Sequence, residues 1–186
     1  MESNNFRELY ISELQDLYDA ENQLIAALPK MAAASSSAEL RSGFESHLQQ
    51  TRGHAIRLEQ ILASLGEEAK GKKCKAIKGL VAEGGDMIDS DFEGAVKDAG
   101  LIGAAQRVEH YEIAAYGTVR TFAEILGDQE GVRLLEQTLD EEKRTDEKLS
   151  ELADTINAQA AELAVPIDED ISEEDVPKRK AKGAGR

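Results

Sequence analysis

Four long stretches of the chain carry apolar residues every three or four positions, the period that draws a stripe along one face of a helix. The first runs from about Asn5 to Ala34, with Tyr10, Leu14, Leu17, Leu24, Leu28 and Met31 in line. Asn4 or Asn5 can cap it, Ser35-Ser36-Ser37 closes it, and Pro29 predicts a kink or loosened turn near its end. The second follows at once, with a capping box of Ser36 and Glu39 and a stop at Gly66. Its stripe is Leu40, Phe44, His47, Thr51, His54, Leu58, Ile61 and Leu65, apolar at both ends and polar in the middle. So short a connection predicts an antiparallel hairpin.

The third helix spans about Asp98 to Leu126 and lines up Leu101, Ala105, Val108, Glu112, Ala115, Val119, Phe122 and Leu126. Gly127-Asp128 is a stop followed by a cap. The fourth helix then takes Gln129 to about Ala158, with Val132, Leu135, Leu139, Glu142, Asp146, Leu149, Ala153 and Ile156 in line. Between the second and third helices, residues 67–75 are polar and lysine-rich. Ile77, Leu80, Val81, Met87 and Ile88 predict a shorter fifth helix, weakened by Gly84-Gly85, and residues 89–97 read as a loop. A connection of this length acts as a crossover that lets the flanking helices run parallel. The expectation is an all-α, antiparallel four-helix bundle over residues 1–163. Residues 164–186, acidic and then basic, form a solvated tail.

Each stripe is interrupted near mid-length by polar groups. These are Glu21 on the first helix, His47, Gln50 and His54 on the second, Glu109 and Glu112 on the third, and Glu142 and Asp146 on the fourth. Midpoints of helices of equal length share one level of an antiparallel bundle, so these groups should converge. No Lys or Arg lies on any of the stripes, and Arg57 only flanks the second. Two carboxylates about 4 Å apart repel by roughly 4 kcal/mol even at an effective dielectric near 20. One or two divalent cations would relieve the set, and the mixture of oxygen and imidazole donors suits iron or manganese. Taken singly, each residue has a plainer reading. Glu21 fits a slipped register or a buried hydrogen bond, His47 fits a packed core histidine, and Glu109 and Asp146 fit the wet edge of a stripe. The coincidence of all four helices at one level is what favours a metal site.

Composition narrows the classes further. Ala, Leu, Glu and Gln are abundant in the 186 residues, with no Trp and three Pro, which favours helices over sheets. The formal charge of −15 argues against a nucleic-acid surface on the main body. The single cysteine, Cys74, cannot form an internal disulfide and reads as a surface thiol among lysines. No apolar run is long enough to span a bilayer and no signal-peptide h-region is present, so a cytoplasmic protein without membrane partners is expected. Tyr18 and Tyr116 each lie one turn from a candidate ligand and can hydrogen-bond its carboxylate, or pack as ordinary amphipathic residues. His110 points off the stripe, toward a surface or interface.

Four blocks carry a family resemblance. Leu17-Tyr-Asp-Ala-Glu21, Phe44-Glu-Ser-His47-Leu-Gln-Gln-Thr51, Val108-Glu-His-Tyr-Glu-Ile-Ala-Ala-Tyr-Gly117 and Leu139-Asp-Glu-Glu-Lys-Arg-Thr-Asp146 resemble the YciE/YciF family of ferritin-like bacterial stress proteins. The match covers about residues 6 to 160. It implies a ferritin-like bundle with an extra helix in the long crossover, homodimers in the cytoplasm, and a link to osmotic, envelope or general stress. The wider ferritin-like pattern takes one Glu from each of two helices and Glu-x-x-His from each of the other two. Glu21 and Glu112 match the single glutamates. The second helix departs, with His47, Gln50 and His54, and the fourth departs, with Glu142 and Asp146.

Two functions follow, and a third, polyanion binding through the basic end of the tail at residues 176–186, stands behind them. The first is a stress protein with a dinuclear iron or manganese site that reacts with oxygen or peroxide. Glu21, Glu112, Glu142 and His54 would be its ligands, completed or supported by Gln50, Asp146, Glu109 and His47. The second is a non-enzymatic helical dimer whose polar layer only fixes register.

Overall fold

The computed structural model describes residues 5–70 and 72–163, so the tail expected at 164–186 lies outside the described residues. These residues form five helices and no strand: α1 (Phe6–Ala34), α2 (Ala38–Ser64), α3 (Lys75–Asp89), α4 (Gly94–Leu126) and α5 (Gln129–Glu162). The Asn5 side chain accepts from the Glu8 amide at 2.9 Å and starts α1, which runs unbroken through Pro29. The cap of α2 is Ser37, one residue later than expected, accepting from the Leu40 amide. Ser36 is not free for that role, because its amide is held by Asp98. Gly127, at φ +75°, ends α4 in a conformation that costs glycine nothing. Asp128 then caps α5 by accepting from the Gly131 amide at 2.9 Å.

Helix α4 begins at Gly94, so the loop expected over 89–97 shrinks to residues 90–93. Residues 94–97 of that stretch are the first turn of α4, and next comes Asp98. Its carboxylate accepts from the Ser36 and Ser37 amides at 2.8 and 2.7 Å and closes the start of α2. At the other end of the bundle the Tyr10 hydroxyl donates to Asp128 at 2.9 Å. Together these contacts fix direction: α4 starts where α2 starts and ends where α1 starts. Thus α1 with α2 and α4 with α5 form antiparallel hairpins, and α2 runs parallel to α4 across the crossover.

The crossover is tied down by Asp19, a buried residue of α1. It accepts from the Cys74 amide at 2.9 Å and from Lys73 Nζ at 3.1 Å, and burial is outweighed by these donors, which hold its pKa below the usual value. Cys74 is therefore buried, correcting the surface thiol expected from its lysine neighbours. Its sulfur lies 3.2 Å from the Tyr111 hydroxyl, and burial raises its pKa.

The core is split in two. One half packs Leu24, Leu28, Phe44, Ile77, Leu101 and Leu149, and the other Leu14, Leu17, Leu58, Ile61, Val119 and Leu135. Between them sits the level of the polar intruders. No helix among the described residues is long and apolar enough to cross a membrane.

Asp98 is 2% exposed and serves two amides of another helix. Asp98→Ala should therefore cost about 1–3 kcal/mol, read as a lower urea midpoint with an unchanged slope.

Candidate metal centre

Four helices bring Glu21, His47, His54, Glu109, Glu112 and Glu142 to one level between the two apolar halves, each 4% exposed or less. Their placement follows from the stripes: five continue their helix's apolar series and Glu109 lies one turn before Glu112 on the same face, so packing the stripes inward carries them inward too. Two groups result, each with ligand-type atoms within 4.8 Å of one another. One comprises His47, Glu109, Glu112 and Glu142, and the other Glu21, His54 and Glu142. Glu142 belongs to both.

The histidines are oriented from outside. His54 Nε2 lies 2.9 Å from the Glu141 carboxylate, which Arg57 holds with two contacts at 2.8 and 2.9 Å. His54 Nδ1 is thereby aimed inward, 2.9 Å from Glu142 and 3.5 Å from Glu21. The nearer contact is close enough for ionic attraction but not aligned as a hydrogen bond. For His47, Nδ1 meets the Thr145 hydroxyl at 3.3 Å. That hydroxyl donates its one proton to the Glu141 carbonyl at 3.1 Å, so it accepts from an Nδ1–H. His47 Nε2 then presents a lone pair inward, 3.3 Å from Glu109 and 3.8 Å from Glu142.

The inner carboxylates lack donors. None reaches either oxygen of Glu112 or Glu142, nor Oε2 of Glu21 or Glu109. Tyr116 supplies the one direct hydroxyl, to Glu21. Burial first, and then the neighbouring acids, push Glu112 and Glu109 well above the usual carboxyl range. Burial opposes charge on His54 as well, but Glu141, Glu142 and Glu21 outweigh it and carry its pKa up to about 11. Those histidine contacts keep Glu142 low, and burial depresses His47. Protons thus stand where positive charge is wanted. A divalent cation among these atoms would displace them and satisfy the orphaned oxygens together, so the residues fit a metal.

Other candidates lie outside the two groups. Gln50 is half-buried and lies beside His47 at the border of the layer. Asp146 faces the exposed His110 at 3.2 Å, with its other oxygen buried and without a partner. Tyr18 donates to Glu59 at 2.7 Å instead of serving Glu21, because it leaves the stripe toward solvent. Glu141, Arg57 and Thr145 were not singled out by sequence. Glu141 is masked by its neighbour Glu142, though its spacing of three from Thr138, which Arg57 also contacts, places it beside the stripe.

The architecture and this layer define a ferritin-like helical bundle with a buried carboxylate–histidine centre. Residues 5–162 match the family described as Domain of unknown function (DUF892). Protein YciF of Escherichia coli (strain K12) is 43% identical over 166 residues, spanning 88% of this chain and 100% of that protein. The crystal structure of the E. coli stress protein YciF matches with a TM-score of 0.81, covering 84% of this chain and 99% of that one. A ferritin-like, diiron-carboxylate protein from Bacillus anthracis str. Ames, 21% identical, shares the fold at a TM-score of 0.64 over 81% of this chain and 99% of its own. The chain belongs to the DUF892 family, that of YciE and YciF.

Removing the orienting carboxylate with Glu141→Ala should weaken metal binding about tenfold to a hundredfold, measured by manganese titration, without changing helix content.

Proposed function

We propose that the protein is a ferritin-like stress protein whose mid-bundle layer holds a dinuclear iron or manganese centre. The observation that supports this most strongly is the set of buried carboxylate oxygens without donors, facing the inward nitrogens of two histidines. Four inner glutamates carry the charge that two divalent cations would balance. His47, Glu109 and Glu112 would hold one ion and Glu21 and His54 the other, and Glu142 belongs to both groups of residues. Bound iron or manganese would supply redox chemistry toward oxygen or peroxide.

The chain's own residues prepare the place. Glu141 and Thr145 fix which nitrogen of each histidine faces in, and Tyr116 holds Glu21 by its hydroxyl. The apolar halves above and below keep the layer dry, which strengthens each charge interaction within it. The stress role is supported by the description of the E. coli relative as a stress protein. A cytoplasmic location and a homodimer belong to the same proposal, and sedimentation of the purified protein tests the latter.

The second reading, a metal-free layer that sets register, draws on the Arg57–Glu141–His54 chain of ionic contacts. Such a layer should be internally satisfied, as half-satisfied polar networks are worse than apolar cores. Glu112, with neither oxygen partnered, argues against it.

Metal analysis of protein purified without chelator separates the readings. We expect about two equivalents of iron plus manganese after reconstitution. Less than about a tenth of an equivalent, with no uptake on adding either metal, would overturn the proposal. Glu112→Gln provides a second check by melting curves. It should raise the melting temperature of chelator-treated protein, because the amide is buried without the proton uptake that the Glu112 carboxyl requires, and abolish much of the rise that manganese gives the parent.

A further inference from the structure

A cavity of about 160 Å³ lies between α1, α3 and α4, and the mechanism above does not use it. It exists because three helices present small side chains to one another, notably Ala27, Gly84, Ala104 and Ala105. Leu24, Leu80 and Ile88 complete a mainly apolar wall. At one end the wall changes character, for His47 and Glu109 line it too. Glu109 is 2% exposed, and its Oε2 has no hydrogen-bond partner. The space therefore joins an apolar chamber to the outermost members of the carboxylate–histidine layer. A second cavity, about 50 Å³ and bordered by Gln50, Thr145 and Lys148, touches the same two residues from the side of α2 and α5.

We propose that the larger cavity is a binding site for a small, uncharged, mainly apolar organic molecule bearing one hydrogen-bond donor. Its size suits a single six-membered ring, since a dry apolar cavity of about 150 Å³ accommodates benzene. The ring lies between Gly84 and Ala105, and its donor points toward Glu109. Apart from Gln23, Lys30, His47 and Glu109 the lining is apolar, which disfavours a charged ligand at its centre. The site's position beside the centre, as the place where an organic co-substrate meets the metal, rests on the metal reading. Binding itself does not.

Phenol is the probe, titrated into the full chain and followed by ligand-observed NMR, with and without manganese. Saturable binding is expected, together with a loss of affinity of at least about tenfold in Gly84→Leu. A Cβ at Gly84 meets nothing closer than Met31 Sδ at 3.8 Å, so the new side chain can enter the cavity without disturbing the helix. Manganese should broaden the phenol signals in the parent far more than in Gly84→Leu. If phenol binds but manganese neither binds nor broadens its signals, the cavity stands and the metal reading falls. No saturation at several times the phenol concentration of about 1 mM, or equal affinity in Gly84→Leu, overturns the cavity proposal. Should Gly84→Leu fail to fold, crystals of the parent pressurised with xenon decide the matter: density between Gly84 and Ala105 supports the site, and its absence there overturns it.

Discussion

Four glutamates buried at one level, with too few donors, are the constraint on which this fold is built. Such a cluster cannot remain fully ionised in a dry interior. Its alternatives are bound protons or bound cations, and the structure is consistent with either being exchanged for the other. Burial and the neighbouring acids raise the carboxyl pKa values of Glu109 and Glu112, and the surrounding carboxylates raise that of His54, so each favours its protonated form where no cation is bound. The two apolar halves supply the stability that lets the layer persist between them.

The donors are those of a ferritin-like centre redistributed among the helices. The general pattern uses four glutamates and two histidines, with one Glu-x-x-His pair on each of two helices. Here the count is the same, but α2 provides both histidines and α4 two glutamates. Where the pattern would place a glutamate three residues before His54 stands Thr51, which is buried and donates to the His47 carbonyl. Where it would place a histidine three residues after Glu142 stands Thr145, which accepts from His47. A residue in a ligand's usual place has become the one that aims a ligand on the neighbouring helix. The two groups are consequently unequal, one with three carboxylates and the other with two.

Helical periodicity made most of this legible. Glu21, Glu112, Glu142, His47 and His54 stand out because each replaces an apolar residue in a regular series, and burial of the series buries them. Glu141 does not interrupt a stripe, and its role depends on the rotation of α5 against α2, which no single helix encodes. Asp146 continues the α5 stripe yet reaches the rim, facing His110, because a step of four from Glu142 overshoots one helical turn by about 40°, whereas Leu149, seven residues on, returns to the core. Cys74 misleads for the opposite reason. Its lysine neighbours read as solvent-facing, but Asp19, fifty-five positions earlier, draws the segment inward through a backbone amide. Ser36 likewise looks like a cap until Asp98 is seen to hold its amide.

The same crossover that Asp19 anchors also leaves the gap beside the centre. Had α3 packed on α1 and α4 with ordinary core residues, Leu80 and Ile88 would meet larger partners than Gly84, Ala104 and Ala105. The space of about 160 Å³ opens toward solvent between half-buried residues of α1 and α3 and reaches inward to buried Gly84, Ala104 and Ala105. Its end at His47 and Glu109 gives it a chemical address. The short helix is thus more than a strap across the bundle: it forms one wall of the apolar approach to the layer that the four long helices create.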